Sequence, residues 1–228
     1  MIDFGMGSEG ESAEVVLEKT LAMRHSELIN KALDPQKGWK EANERTINLP
    51  EESPQGFDIF CAFIKTGHIH ITVPGEGGNK AQDKDNDEMW SQLTEAWLLG
   101  DRMFSNSFKD AIVDVVLRKL RHQVTIPTTL HQSIHKGSAG LSGMRRLLVN
   151  LAVYKWSFDD VAKPNPDGGC VELFKDVVIG LKERIECDEV APLFEAYEFS
   201  CHYHDHISPA DCYERSGKSL GLATLNLD

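Results

Sequence analysis

Between Thr46 and Gly67 the chain carries two different hydrophobic periods in close succession. Thr46-Ile47-Asn48-Leu49 alternates polar with apolar, the two-residue period of a strand. Ser53-Pro54 follows, an N-cap residue with proline in the first helical position. Phe57, Phe60, Cys61 and Ile64 then fall on one helical face, and Gly67 supplies the flexible backbone on which the chain leaves the helix. A short strand followed by a one-sided helix must bury both on one core. This predicts an α+β fold, a small sheet with helices packed on it.

The rest of the chain supplies the other elements. Residues 2–7 and 13–17 flank the Gly7-Ser8-Glu9-Gly10 turn and read as a hairpin. Leu21, Leu28, Ile29, Ala32 and Leu33 recur at helical spacing and predict a helix over Leu21–Leu33, ended by Asp34-Pro35-Gln36-Lys37-Gly38. His68–Val73 alternates as a short strand. Pro74–Glu88 has Ala81 as its only apolar residue and is expected to be a mobile acidic loop with almost nothing to bury. Met89–Met103 and Phe108–Leu120 are amphipathic helices, the second with Ala111, Ile112, Val115, Val116 and Leu120 on its apolar stripe. Beyond Ile126-Pro127-Thr128 the pattern is helical over Leu130–His135, Leu141–Tyr154 and Val171–Ile185, with a Lys163–Gly169 loop between the last two. Pro192 opens a final short segment, and Ser216–Asp228 has too little pattern to assign. There is no internal repeat and no sustained heptad.

Charge and cysteine usage exclude several classes of function. The net charge of −12 argues against sequence-independent binding to nucleic acid or an anionic membrane, which needs clustered Lys and Arg. No run of 18 apolar residues is present, so no transmembrane helix is expected. The start, MIDFGMGSEGESAE, has neither the basic nor the apolar region of a signal peptide. The five cysteines, Cys61, Cys170, Cys187, Cys201 and Cys212, are odd in number and form no disulfide framework. Reduced thiols and a cytoplasmic and/or nuclear location are the expectation.

Several short stretches occur in a fixed order. They are Leu17-Glu18-Lys19-Thr20-Leu21, Arg24-His25-Ser26 ahead of Leu28-Ile29, Trp39-Lys40-Glu41-Ala42, Leu49-Pro50, the run from Phe57 to Lys65-Thr66-Gly67, and Leu98-Leu99-Gly100-Asp101-Arg102. In order and spacing this set resembles the BTB/POZ domain in the form common in fungal proteins, over about residues 2–121. The resemblance implies a BTB/POZ-like domain at 2–121, a helical C-terminal extension at 122–215 packed on it, and an unassigned tail at 216–228. It implies a non-enzymatic protein–protein interaction module, acting by self-association or by scaffolding a protein partner. The alternatives are a substrate adaptor of a cullin-type ubiquitin ligase and a zinc-dependent regulatory module built on Cys201–Cys212.

The chain departs from the family pattern at identifiable places. Glu18 stands where the family has His, Leu28-Ile29 replaces an aromatic pair, and Lys65 replaces the Tyr of Y-T-G. Phe57-Asp58-Ile59 lacks the Glu of the apolar-x-Glu motif expected in cullin recruiters. No extra N-terminal strand of the kind exchanged in strand-swapped dimers is expected, so the expected homodimer is weak and formed through Leu21–Leu33.

The residues best suited to chemistry lie near the C-terminus. Cys201, His204, His206 and Cys212 combine the thiolate and imidazole donors that tetrahedral zinc prefers. Cys201 and His204 are one helical turn apart, and His206 and Cys212 can close the shell across Ile207–Asp211. Their convergence on a structural zinc is one expectation; the other is a packed helix end with its histidines facing solvent. His68 and His70 share a strand face, but no third donor adjoins them, so they read as an exposed edge. Gly217-Lys218-Ser219 and Gly75–Lys80 both fail the phosphate-loop pattern. Cys61 sits mid-helix on the apolar face and reads as core. Arg145 and Arg146 flank the stripe of Leu141, Met144, Leu147 and Leu148, one expected to cap the core and one to face solvent. No catalytic and no cofactor-binding residues are predicted.

Overall fold

Strand β1 (Ile2–Met6) runs antiparallel to β2 (Ala13–Leu17), with Ile2 opposite Leu17 and Met6 opposite Ala13. The other edge of β1 pairs in parallel with β3 (Thr46–Leu49), Phe4 opposite Ile47, so the sheet order is β2-β1-β3. A parallel pair needs a crossover. Here it is made by α1 (Lys19–His25), α2 (Glu27–Ala32), a 3₁₀ turn at Pro35–Lys37 and α3 (Lys40–Glu44). Ile2, Phe4, Leu17 and Ile47 are all buried. The computed structural model describes residues 1–6, 13–71, 79–120, 128–138, 140, 142–155, 171–187, 201–206, 208 and 212–213. The protein is α+β, mostly helical with a small three-stranded mixed sheet.

The single helix expected over Leu21–Leu33 is two. Ser26 takes extended angles (φ −138°, ψ 121°) between α1 and α2. Its hydroxyl accepts from the Ile29 N–H at 3.1 Å, capping α2, and donates to the Met103 carbonyl at 2.8 Å. Side-chain capping offers serine's backbone an alternative to continuing the helix, and the distant carbonyl fixes the choice.

Helix α4 (Pro54–Thr66) forms as its caps predict: the Ser53 hydroxyl accepts from the Gly56 N–H at 3.3 Å, and Gly67 ends the helix at φ 77°. Its aromatic face fills the centre of the molecule. Phe57 packs on Phe4, and Phe60 and Phe63 pack on Phe108, with ring centroids 4.9–5.3 Å apart.

Two expectations fail just beyond. His68–Ile71 is not a strand, although burial does alternate, Ile69 and Ile71 in and His70 out. The His68 N–H goes to the Thr66 hydroxyl at 3.1 Å rather than to a neighbouring strand. Alternation reports which side is buried, not whether a ladder partner exists. The acidic loop over Pro74–Glu88 is likewise wrong from residue 79 onward, because α5 spans Asn79–Arg102. Lack of apolar residues shows only that a segment has little to bury. Once Met89–Met103 is anchored, extending its helix backwards avoids the cost of nucleation. Residues 7–12 and 72–78, including Thr72 and Val73 of the expected strand, the Lys163–Gly169 loop, the segment opened by Pro192, Gly217-Lys218-Ser219 and the Ser216–Asp228 tail lie outside the described residues.

The later helices are α6 (Asn106–Leu120), α7 (Thr128–Gly137), α8 (Gly143–Tyr154) and α9 (Val171–Cys187). One continuous apolar core runs from the sheet through α4, α5 and α6 into α7 and α8, crossing the 121/122 boundary. A small second cluster seats α9, where Leu173 and Val177 pack on Ala152 and Val153. Among the described residues no helix is long and apolar enough to cross a membrane.

Candidate metal centre

The C-terminal segment Cys201–His206 lies across α6 and the start of α8, and backbone chemistry explains why it stays there. Cys201–Tyr203 forms a 3₁₀ turn, closed by the His204 N–H on the Cys201 carbonyl at 3.3 Å. Asp205 then meets the N-terminus of α8. Its carboxylate accepts the Gly143 N–H at 2.6 Å, where the helix dipole favours an anion. The Asp205 N–H is taken by the Asp110 carboxylate at 2.7 Å, and Lys109 bridges Asp205 and Asp101 at 3.0 and 2.9 Å. Arg146 donates to the carbonyls of His202 and His204, and Asn150 donates to the Tyr203 hydroxyl at 2.9 Å.

These contacts bring the expected donors together. One donor atom from each of Cys201, His204, His206 and Cys212 can be chosen so that all lie within 4.8 Å of one another. In a tetrahedral shell with bonds of about 2.0–2.3 Å, neighbouring donors stand roughly 3.3–3.8 Å apart, so small side-chain adjustments suffice. His204 and Cys212 are buried and the other two half-buried. The group can hold a metal ion. Two thiols and two imidazoles are a donor set that zinc accepts, and four protein ligands would leave no open position for water. Cys212 Sγ already lies 3.8 Å from Nδ1 of His204.

The electrostatics match a segment fixed by buried charge. Burial pushes the Asp110 carboxyl up to about 7, against the pull of His204 and the Asp205 N–H. Burial acts to lower Lys109, but Asp205 and Asp101 outweigh it and hold the ammonium above its ordinary value. His202 is lowered by burial and by Arg146.

No family model matches the chain, and no curated protein does.

Other candidates divide clearly. His68 and His70 stack edge to face at 6.1 Å, but the only four-donor group among the described residues is the one at Cys201–Cys212. Cys61 is core, 5% exposed, with its thiol pushed up to about 12 by burial. Arg145 is the buried member of its pair, donating to the Ser138 carbonyl and to Asp176. Arg146 is half-buried and holds the C-terminal segment rather than simply facing water. Phe57 and Ile59 are both buried, so Phe57-Asp58-Ile59 offers solvent only Asp58. Cys170 lies outside the described residues.

Sequence reading missed Asp110, Asp114, Lys109, Gly143 and Tyr213. A signal was there: Asp110 and Asp114 are one helical turn apart, inside a helix buried from Phe108 to Leu117. Carboxylates in that position require partners.

Proposed function

We propose that this chain is a non-catalytic protein–protein interaction module, BTB/POZ-like over residues 2–121, with the 122–215 extension held in place by a structural zinc on Cys201, His204, His206 and Cys212. The observation that carries the interaction reading is the outer face of α9. Val171, Phe174, Val178, Leu181 and Ile185 recur at three- and four-residue spacing along it and are 40–80% exposed. The opposite face is committed to the body through Leu173, Val177, the Asp176–Arg145 ion pair and Arg184 on the Val153 carbonyl. An apolar stripe at this spacing fits a second helix laid alongside it. Exposed Lys175 and Lys182 border the stripe; Lys182 is shared with Glu186 at 3.7 Å, and Lys175 favours a partner helix carrying a carboxylate beside its own apolar face.

The non-catalytic reading has separate support. Cys212 does face His204, the pairing a thiol nucleophile would use, but at 1% exposure no substrate reaches it. The groove of about 180 Å³ between α5 and α7 places Ser91 beside Glu95 at 3.3 Å, and no histidine lines it.

Cross-linking through Lys175 and Lys182, with sequencing of the joined peptides, tests the interaction. The expected product joins α9 to an acidic amphipathic helix of one identified partner, and Val178→Glu abolishes it without lowering the thermal midpoint. Undiminished cross-linking in Val178→Glu, or cross-links to α9 of a second copy alone, would overturn the partner-helix reading. Elemental analysis of the purified chain tests the metal, with zinc expected in equimolar amount. Metal-free protein that also fails to take up added zinc would remove it.

A further inference from the structure

Asp114 lies in the middle of α6 at 1% exposure, and both of its carboxylate oxygens are engaged by the C-terminal segment. Oδ1 is 3.1 Å from Nε2 of His204. Oδ2 accepts from the Tyr213 hydroxyl. The other ring nitrogen of His204, Nδ1, is the one turned toward Cys212 Sγ, 3.8 Å away. One buried side chain therefore backs a donor ring and also holds the residue directly after a second donor.

An ionised carboxylate only accepts hydrogen bonds, so a neutral His204 beside it carries its proton on Nε2. Its lone pair is then on Nδ1, the nitrogen facing the thiol. A carboxylate behind a metal-bound imidazole fixes the ring's tautomer and orientation and raises its basicity. Of the neighbouring charges, Asp110 acts on His204 through its field while its hydrogen bond goes to the Asp205 N–H, and Lys109 joins Asp101 to Asp205. Those groups fix the backbone of the segment. Asp114 lies within hydrogen-bond distance of a donor ring, 3.1 Å from Nε2 of His204.

We infer that Asp114 is the positioning residue of the zinc centre: it makes His204 bind through Nδ1 and, through Tyr213, sets the place of Cys212. The inference rests on the zinc reading above and adds to it a ligating atom and an outer partner.

The test uses the full chain with zinc, its affinity measured by competition with a chromophoric chelator. The ring nitrogens of ¹⁵N-labelled histidine are read by NMR in the zinc-loaded state. In the wild type His204 should show a protonated Nε2 and a metal-bound Nδ1. Asp114→Asn keeps size and an acceptor but removes the charge. It should weaken zinc binding by about 10–100-fold, while leaving the thermal midpoint of the metal-free protein nearly unchanged. Tyr213→Phe releases only the second grip and should weaken binding by less. Zinc binding by Asp114→Asn within about twofold of wild type, or ligation of His204 through Nε2, overturns the role of Asp114 while leaving the zinc centre standing. A wild type that binds no zinc overturns the centre itself. Should Asp114→Asn not fold, the wild-type NMR spectrum alone decides which nitrogen ligates.

Discussion

A methyl group at position 143 would sit 1.7 Å from the carbonyl oxygen of Tyr203. The methyl has no rotamer and the atom it meets is backbone, so no rotamer change relieves the clash. Glycine is needed here for close approach, not for an unusual φ. Gly143→Ala should push Cys201–His206 off the start of α8 at a cost of about 1–3 kcal/mol, the range for overpacking. The expected result is a thermal midpoint lower by several degrees and a loss of zinc retention measured on the same sample. A variant of wild-type stability would show that the segment is not seated as described. A second single-residue effect comes from His131 in α7. It is fully buried, and its pKa is lowered to about 3, first by burial and then by His135. The folded value lies below the unfolded one, so the stabilisation is present above about 6.5 and is lost as pH falls toward 3. In that window the unfolded chain binds a proton that the folded chain refuses, which costs up to about 1.4 kcal/mol per pH unit. Denaturation midpoints measured from pH 7 to pH 4 should fall less steeply in His131→Gln than in wild type. Parallel slopes would show that His131 is protonated inside the fold.

The break between α1 and α2 shows what decides an element. Apolar spacing alone ran the helix through to Leu33, and a serine that bonds both Ile29 and Met103 ended it. Ser26→Ala removes the cap and one partner of the Met103 carbonyl, and should destabilise the protein by about 1–2 kcal/mol. A denaturant midpoint unchanged from wild type would mean that the cap contributes nothing. Helix α9 is the converse case. Its helical pattern was legible, but the pattern could not say which apolar residues face the body. Leu173 and Val177 went inward against Ala152 and Val153, leaving the longer stripe from Val171 to Ile185 outside. Helix α5 extended over residues that composition had assigned to a loop. Low hydrophobicity is a statement about burial, and helicity does not depend on it.

At the scale of the molecule, the core does not stop where the sequence resemblance stops. Leu130, Ile134, Met144 and Leu147 join the same cluster as Phe4 and Phe60. The C-terminal segment touches both parts, α6 through Asp110 and Asp114 and α8 through Gly143 and Asn150. Removal of the proposed zinc should therefore be felt locally around the segment rather than as global unfolding, because metal binding is coupled to the folding of the unit that supplies the ligands. Hydrogen exchange before and after chelation should show lost protection at Gly143–Asn150 and Cys201–His206, with α4 and the interior of α5 unchanged. Equal loss everywhere would mean that zinc holds the whole fold.

From local chemistry alone one could read the hairpin, β3, the caps of α4 and the four residues that could hold a metal. Each depends on residue type and on spacing over a turn or two, where propensity, capping and donor chemistry act at short range. Tertiary structure decided the rest. It broke the Leu21–Leu33 helix with a bond from Ser26 to a carbonyl 77 residues away. It left His68–Ile71 alternating but without a ladder. It chose Asp110, Asp114 and Lys109, buried charges whose partners lie about ninety residues along the chain, as supports of the C-terminal segment. Sequence spacing says which side chains share a face. Which distant carbonyl or carboxylate that face will meet is settled only when the core closes.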